Sequence, residues 1–189
     1  MHRRNFVKSA AALAGLAAVT HAAASANAAP IGAVIYDERY GDARRFADEL
    51  ARQGARRFTT RSNVARLWYE RGSGNIVDDR SQIAGFTSYA DLVVVQWIVS
   101  AWRFRVLYEG MHDARGSMTL RHRFTSTNGH AALCAALSVP GQDWPRALAR
   151  ALIRTELPGA PPGQASIHGK AQRSNDFPGT LVSWVVGQA

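Results

Sequence analysis

The chain has 189 residues, one cysteine, and a formal net charge of +9 from 23 basic and 14 acidic residues. Because Cys134 has no second cysteine to pair with, an intramolecular disulfide is excluded and the fold must depend on its hydrophobic core. The basic residues are dispersed and form no run of about five to eight, which argues against nucleic acid as a partner.

The first 28 residues have the composition of an export signal. A basic pair is followed by an aromatic residue, a lysine and an uncharged alanine-rich stretch: Arg3, Arg4, Phe6, Lys8 and residues 9–24. Ala26 and Ala28 then supply the small residues of an A-x-A cleavage site. The alternative, a membrane anchor, is disfavoured because the apolar stretch falls short of the roughly 20 residues that cross a bilayer.

This leader resembles the signal peptides of bacterial twin-arginine (Tat) substrates. The resemblance implies that the Tat translocase exports the folded chain to the periplasm or beyond, and that signal peptidase removes residues 1–28. Export by the general secretory (Sec) pathway is the alternative. Cleavage would leave residues 29–189, which we interpret as one domain and which carry no motif of a characterised enzyme family.

The charge of this mature part bears on its ligands. Cleavage removes three basic residues and no acidic one, which leaves 20 basic against 14 acidic residues, a balance of +6. Lys170 is then the only lysine, and the other basic residues are arginines. Arginine binds carboxylates and phosphates in two-point fashion, so a small anionic ligand is one interpretation, and a compositional bias toward arginine is the other.

The mature chain opens with a pattern typical of a parallel β-α-β unit. A short apolar run over 31–36 predicts a buried strand. Asp42 is placed to cap a helix over 43–53, which Gly54 would end. A second short strand is predicted over 56–60, and the two strands would be parallel because a helix connects them.

The next segment is less regular. A brief helical turn is predicted over 64–70 and a loop over 71–75. Thr87 or Ser88 can cap a helix that runs to about residue 102, with Asp91 completing a capping box after Ser88. Residues 92–99 are rich in β-branched side chains, so a strand there is the alternative. A third strand is predicted over 105–109, continuing the parallel arrangement.

The last third of the chain changes pattern. Apolar and polar residues alternate over 118–124, as in a half-exposed strand, with His122 on the apolar side. Two helices follow, the second opened by Asp143 and Pro145, then a Pro/Gly loop over 158–163 and a final strand over 180–186. The predicted fold is α/β, with a mixed but mostly parallel sheet and helices on both faces, in three layers.

Open α/β sheets bind ligands outside the carboxyl ends of their parallel strands. That rule selects polar residues directly after the predicted strands and at the helix cap: Asp37, Arg39, Tyr40, Arg61, Thr87, Ser88, Glu109 and His112. A carboxylate, an arginine and a histidine on one edge are suited to acid/base chemistry or to anion binding. We therefore predict His112, Asp37 and Glu109 as candidate catalytic residues and the other five as candidate ligand contacts.

Common cofactor and hydrolase motifs are missing from the sequence. The loop over 37–42 has one glycine and three acidic residues, unlike the G-x-G-x-x-G loops that bind pyrophosphate. No G-x-S-x-G elbow occurs, and no pair of residues has a recognised metal-ligand spacing. The sequence identifies no cofactor or metal site.

Two classes of function are therefore compatible with the sequence. One is a periplasmic protein that binds a small, anionic ligand or serves as accessory subunit of an exported complex. The other is a small enzyme that uses His112 as general acid or base, with Asp37 and Arg39 positioning the substrate. The chain has five tryptophans, most of them predicted in the core, with one or two available for a pocket or an oligomer interface.

Overall fold

The computed structural model describes residues 30–60, 63–71, 76, 81–101, 104–115, 119–155, 157 and 163–188. The named helices within these residues are α1 (Gly41–Arg52), α2 (Val64–Arg71), α3 (Tyr89–Ser100), α4 (His130–Leu137) and α5 (Trp144–Arg154). The strands are β1 (Ile31–Tyr36), β2 (Arg56–Thr59), β3 (Gln82–Thr87), β4 (Phe104–Arg115), β5 (Thr119–Ser126), β6 (Gly163–Gln172) and β7 (Thr180–Gln188). No helix among the described residues has the length and apolar character needed to cross a membrane.

The seven described strands form one sheet in the order β2-β1-β3-β7-β4-β5-β6. β1 is parallel to both β2 and β3, and the other neighbours in this order are antiparallel. The α/β class and the mixed sheet predicted from the sequence are therefore confirmed. The expectation of a mostly parallel sheet is wrong.

The error in strand direction has a local cause. The third parallel strand is β3, which the sequence pattern does not reveal, whereas the segment predicted over 105–109 belongs to β4. β4 continues to Arg115, and only residues 116–118 separate it from β5. So short a connection can join only antiparallel neighbours. Strand β6 was not predicted either. The sequence predicts a loop over 158–163, but residue 163 is the first residue of β6, and residues 158–162 lie outside the described part of the chain.

Helix α1 begins earlier than predicted. Its N-cap is Tyr40, and Asp42 lies inside the first turn. The carboxylate of Asp42 is buried and accepts hydrogen bonds from the backbone N–H (2.9 Å) and hydroxyl (3.2 Å) of Ser174. Asp42 therefore ties the start of α1 to the segment before β7, instead of capping the helix. Gly54 follows α1 with a φ of 98°, as its predicted role requires.

Helix α3 forms as its capping box predicts. Ser88 is the N-cap, its hydroxyl oxygen accepts from the Asp91 N–H at 3.2 Å, and its O–H donates to the Asp91 carboxylate at 2.8 Å. These bonds satisfy donors that a helix start leaves unpaired. Residues 92–99 are accordingly helical, and the alternative of a strand there is wrong.

Two hydrophobic clusters use alternate residues of the same strands. The first joins side chains of α1, α4 and α5 to Val34 and Tyr36 of β1. The second joins side chains of α2 and α3 to Ala33 and Ile35 of the same strand. Successive side chains of a strand point to opposite faces of its sheet, so β1 contributes to both clusters.

Candidate functional site

The carboxyl ends of β1 and β3 lie side by side. The backbone N–H of Asp37, just after β1, donates to the carbonyl of Phe86 near the end of β3 at 3.1 Å. β1 leads into α1 of the first cluster, and β3 leads into α3 of the second. Ligands of open α/β sheets bind at such a switch point, which is where the structure places Asp37, Thr87 and Ser88.

Asp37 and Arg39 form a bidentate ion pair at this edge. The Asp37 carboxylate is buried and accepts three hydrogen bonds of 2.6–3.1 Å from the Arg39 guanidinium, and a fourth from the Arg39 backbone N–H at 3.1 Å. These hydrogen bonds, followed by the charge of Asp37, raise the pKa of Arg39 above its usual range. The Arg39 guanidinium also lies 5.2 Å from the ring centroid of Tyr40. Three predicted residues are thus brought together.

The other polar groups at this edge are engaged by the fold. The Thr87 hydroxyl accepts a hydrogen bond from the Trp184 indole N–H at 3.1 Å and donates to the Ser88 carbonyl at 3.2 Å. Ser88 itself caps α3. Thr87 and Ser88 are therefore near Asp37, as predicted, but their side chains already have partners. Arg61 lies outside the described residues.

The amino end of α1 is occupied by a side chain of the protein itself. Both carboxylate oxygens of Asp176 lie 2.9 Å from the Gly41 N–H, and one lies 3.1 Å from the Arg44 guanidinium. Burial acts to raise the pKa of Asp176, but these contacts and a hydrogen bond from the Ser174 hydroxyl lower it overall. Dinucleotide-binding folds hold pyrophosphate at this position. Here a carboxylate fills it.

The prediction that His112 follows the end of a strand is wrong. His112 lies inside β4, and its side chain is 0% exposed. Its Nδ1 is 2.8 Å from His122 Nδ1, and its Nε2 is 2.8 Å from the Ser183 hydroxyl. That hydroxyl lies 3.1 Å from the Tyr108 hydroxyl. Both ring nitrogens of His112 are therefore engaged in a buried hydrogen-bonded chain, apart from the Asp37 pair.

The surroundings of the two histidines favour their neutral forms. The His112 ring stacks on Phe86 with 5.4 Å between centroids, and Trp144 lies 4.7 and 4.8 Å from the rings of His112 and His122. Burial, and then the charge of His122, hold the pKa of His112 well below its usual range. Burial also lowers the pKa of His122 to about 4, although Asp113 opposes that shift. His122 Nε2 is buried and has no hydrogen-bond partner among the described residues.

Glu109 lies elsewhere, on a groove over one face of β4, β5 and β6. The groove has a volume of about 380 Å³, and its side chains are Glu109, Met111, Arg123, Thr125, Gln164 and Ser166. Strand register explains this set: Glu109 lies opposite Thr125, which lies opposite Gln164, and the next row pairs Met111, Arg123 and Ser166. Three strands therefore present six alternate side chains to one surface.

The groove offers both hydrogen-bond acceptors and donors. Glu109 Oε2 accepts a long hydrogen bond of 3.3 Å from Gln96 on α3. The half-exposed Arg123 guanidinium lies 3.1 Å from the Asp113 carboxylate and 2.8 Å from the Met111 sulfur. A volume of about 300–1,000 Å³ is usual for small-molecule sites. The groove thus combines a carboxylate, a guanidinium and uncharged polar groups in a space of ligand size.

Sequence reasoning identified one residue of this groove. It selected Glu109 but missed Arg123, Gln164 and Ser166, since β6 had not been predicted. The period-two pattern of β5 does place Arg123 and Thr125 on its polar side. That pattern, combined with Glu109 on the neighbouring strand, is the signal that could have located the groove.

Within the described part of the chain, no group of three or more His, Cys, Asp or Glu side chains is arranged to hold a metal ion. Comparison with protein-family models, with curated proteins and with solved structures finds no match to this chain.

Proposed function

We propose that this is an exported periplasmic protein that binds a small polar ligand in the groove over β4, β5 and β6. The observation that carries the proposal is the convergence of Glu109, Arg123 and Gln164 on one cavity of about 380 Å³. The twin-arginine leader supplies the compartment. The binding role follows from the groove, because its side chains offer complementary charges and uncharged polar groups.

The groove sets requirements on the ligand. Arg123 can bind a carboxylate or another anion, and Glu109 can accept from an amine or a hydroxyl. Met111 contributes an apolar, polarizable surface beneath them. An anion that also carries a donor group, such as a free amino acid or a hydroxy acid, meets all three requirements.

Arg123→Ala is expected to weaken such binding at least tenfold. A hydrogen bond to a charged group contributes about 1.5–3 kcal/mol, which corresponds to roughly 10- to 150-fold in Kd. The measurement is isothermal titration of the exported protein with a panel of free amino acids and small hydroxy acids. Arg105→Ala is the matched control, because Arg105 is an exposed arginine on the neighbouring strand β4 but outside the groove. Equal affinity in the Arg123 and Arg105 variants would contradict the assignment.

Export by the Tat pathway has its own test. Replacing Arg3 and Arg4 by lysine should leave the protein in the cytoplasm at full length, because the twin-arginine pair is read by a receptor and not by charge alone. Asn5→Ala is the control, since it changes a residue between the pair and Phe6. Immunoblotting of periplasmic and cytoplasmic fractions measures the outcome. Undiminished periplasmic protein from the double-lysine chain would instead indicate the general secretory pathway.

A second candidate function, an accessory subunit of an exported complex, is favoured by one observation. Helix α3 leaves Trp97 83% exposed and Tyr89 51% exposed. A helix that is apolar on its outward face ordinarily contacts another surface. Co-purification of another exported protein, lost in a Trp97 variant, would support this candidate.

The enzymatic alternative requires a conformational change in addition to the observed structure. His112 would act as acid or base with Asp37 and Arg39, but its ring nitrogens are bonded to His122 and Ser183 inside the core. Catalysis would therefore need an opening of the core that exposes His112 next to the Asp37–Arg39 pair. Activity that survives in a folded His112→Gln variant would remove this alternative.

We also infer the three-layer arrangement predicted from the sequence. Its support is the division of side chains between two clusters, one containing α1, α4 and α5 and the other containing α2 and α3. The sheet would form the middle layer, because its strands contribute alternate residues to both clusters.

A further inference from the structure

Helix α3 has an outward surface unlike those of the other long helices. Its most exposed large apolar side chains, Tyr89, Val93 and Trp97, recur every four residues and so form one stripe along the helix. Val94 borders the stripe, and Tyr69 of the neighbouring α2 is 79% exposed. We call these five residues the α3 stripe.

The α3 stripe lacks basic residues, although the chain is rich in them. Helices α1 and α5 each carry three arginines, whereas Asp91 is the only charged residue of α3, and it is bonded to Ser88. Interface centres are depleted of charge and enriched in Trp and Tyr. The composition of α3 thus matches an interface centre, while those of α1 and α5 match solvated faces.

We propose that the α3 stripe is the interface of a symmetric dimer, with a second copy of this chain as its occupant. Along α3, the aromatic residues Tyr89 and Trp97 lie four residues before and after Val93. In an antiparallel pairing around a twofold axis, Val93 meets Val93 and Tyr89 of each copy meets Trp97 of the other. This is the self-complementarity that an isologous contact requires.

Charge is compatible with a second copy and favours the antiparallel direction. Each mature chain has a balance of +6, so two copies repel at long range, but the five residues of the α3 stripe are uncharged and add nothing to that repulsion. Antiparallel helices also bring the partially positive amino end of one α3 toward the partially negative carboxyl end of the other. A parallel pairing would bring together helix ends that carry partial charges of the same sign.

The exposed area is adequate for the centre of such an interface. An aromatic side chain buries about 150–250 Å², so Trp97, Tyr69 and Tyr89, at 83%, 79% and 51% exposure, offer roughly 400 Å² per copy. A standard interface buries about 800 Å² per partner. The three aromatics would supply about half of that area, and the flanks of α2 and α3 the rest.

Sedimentation velocity of the exported protein at about 1–100 µM tests the proposal. The expected result is a monomer–dimer equilibrium that Trp97→Lys shifts at least 100-fold toward monomer, with the urea midpoint unchanged when both proteins are diluted to a concentration at which they are monomeric. Ala135→Lys is the matched control, because it adds the same charge at an exposed position of α4 and should leave the dimer intact. A parent protein that is monomeric throughout, or a dimer that persists in Trp97→Lys, would overturn the proposal.

A crosslinking experiment tests the symmetry. In a Cys134→Ser background, Val93→Cys should form an intermolecular disulfide on mild oxidation, because residue 93 lies on the twofold axis, whereas Ser100→Cys should not. Crosslinking at 100 but not at 93 would exclude the antiparallel pairing. A monomer that binds a different exported protein through Trp97 would overturn the second copy as occupant but would leave the accessory-subunit candidate standing.

Discussion

Acidification from pH 7.5 to 5 is expected to lower the free energy of unfolding by on the order of 4 kcal/mol, because the fold holds His112 and His122 neutral. Both rings are buried among Phe86 and Trp144. The folded-state pKa of His122 is about 4, and that of His112 is well below its usual range. An unfolded histidine has a pKa of about 6.5.

The sign follows from these shifts. When a base has a lower pKa in the folded state, the unfolded chain binds more protons as the pH falls through 6.5. The stability that the neutral rings contribute is therefore complete above that pH and decreases toward the folded-state pKa values. At pH 5 each histidine should account for about 2 kcal/mol of the loss. Asp113 is the acid that acts on His122, and it moderates the effect without reversing it.

Urea denaturation at several pH values measures this dependence. His122→Asn and His112→Gln should each halve the fall in unfolding free energy between pH 7.5 and 5, since each removes one titrating ring. His168→Gln removes an exposed histidine on β6 and serves as the control. Comparison between variants isolates the histidines, because carboxylates such as Glu49 are common to all of them. A parent stability that stays level to pH 5 would contradict buried neutral histidines.

Gly85→Ala is expected to cost about 3–5 kcal/mol and to leave much of the protein insoluble. A Cβ at residue 85 would lie 2.0 Å from Cε2 and 2.1 Å from Cζ2 of Trp184, its antiparallel neighbour on β7. The indole is fully buried and donates to Thr87. Moving it would strain the second cluster and leave a buried N–H without a partner.

Urea denaturation of a double-mutant cycle tests this cause. Trp184→Leu should destabilise the protein alone, but Gly85→Ala should cost much less in its presence, giving a coupling of at least about 1.5 kcal/mol. Gly41→Ala is the comparison glycine, because its Cβ would make a tight contact of 3.3 Å with Ser174 and not an overlap of 2.0 Å, and its backbone N–H is retained, so its cost should be much smaller. If the changes in unfolding free energy of Gly85→Ala and Trp184→Leu are additive, the close approach of the indole to residue 85 is not the cause of the destabilisation.

Elements with strong local patterns were predictable from the sequence, and elements formed by tertiary context were not. β1, α1 and β7 carry apolar runs or helical periodicity, so their residues alone indicate their structure. β3 contains Gly85 under an indole, and β6 is polar and small at most positions, so neither shows a strand pattern. Because β3 was missed, β4 was assigned as the third strand of the parallel unit.

The same error displaced the candidate site. With β4 ended at 109, His112 fell in a loop beside Asp37. In the observed hairpin, residues 112 and 122 are opposite one another, a pairing that follows from extending β4 to meet β5. The end of β1 and the cap of α3 were predicted correctly, which is why the sequence selected Asp37, Arg39, Thr87 and Ser88 at one edge of the sheet. The β4 and β5 side of the groove could have been located from the alternating pattern of β5, but its β6 side depends on the pairing of β5 with β6, which no local pattern reveals.

Native mass spectrometry of the protein purified from the periplasm, with and without added amino acids and hydroxy acids, is the most direct test of a ligand-binding exported protein. We expect chains that begin at Ala29 and carry a small bound mass, which Arg123→Ala loses while Arg105→Ala retains it. Bare chains under every condition, or a bound mass that survives in Arg123→Ala, would contradict the assignment of the groove.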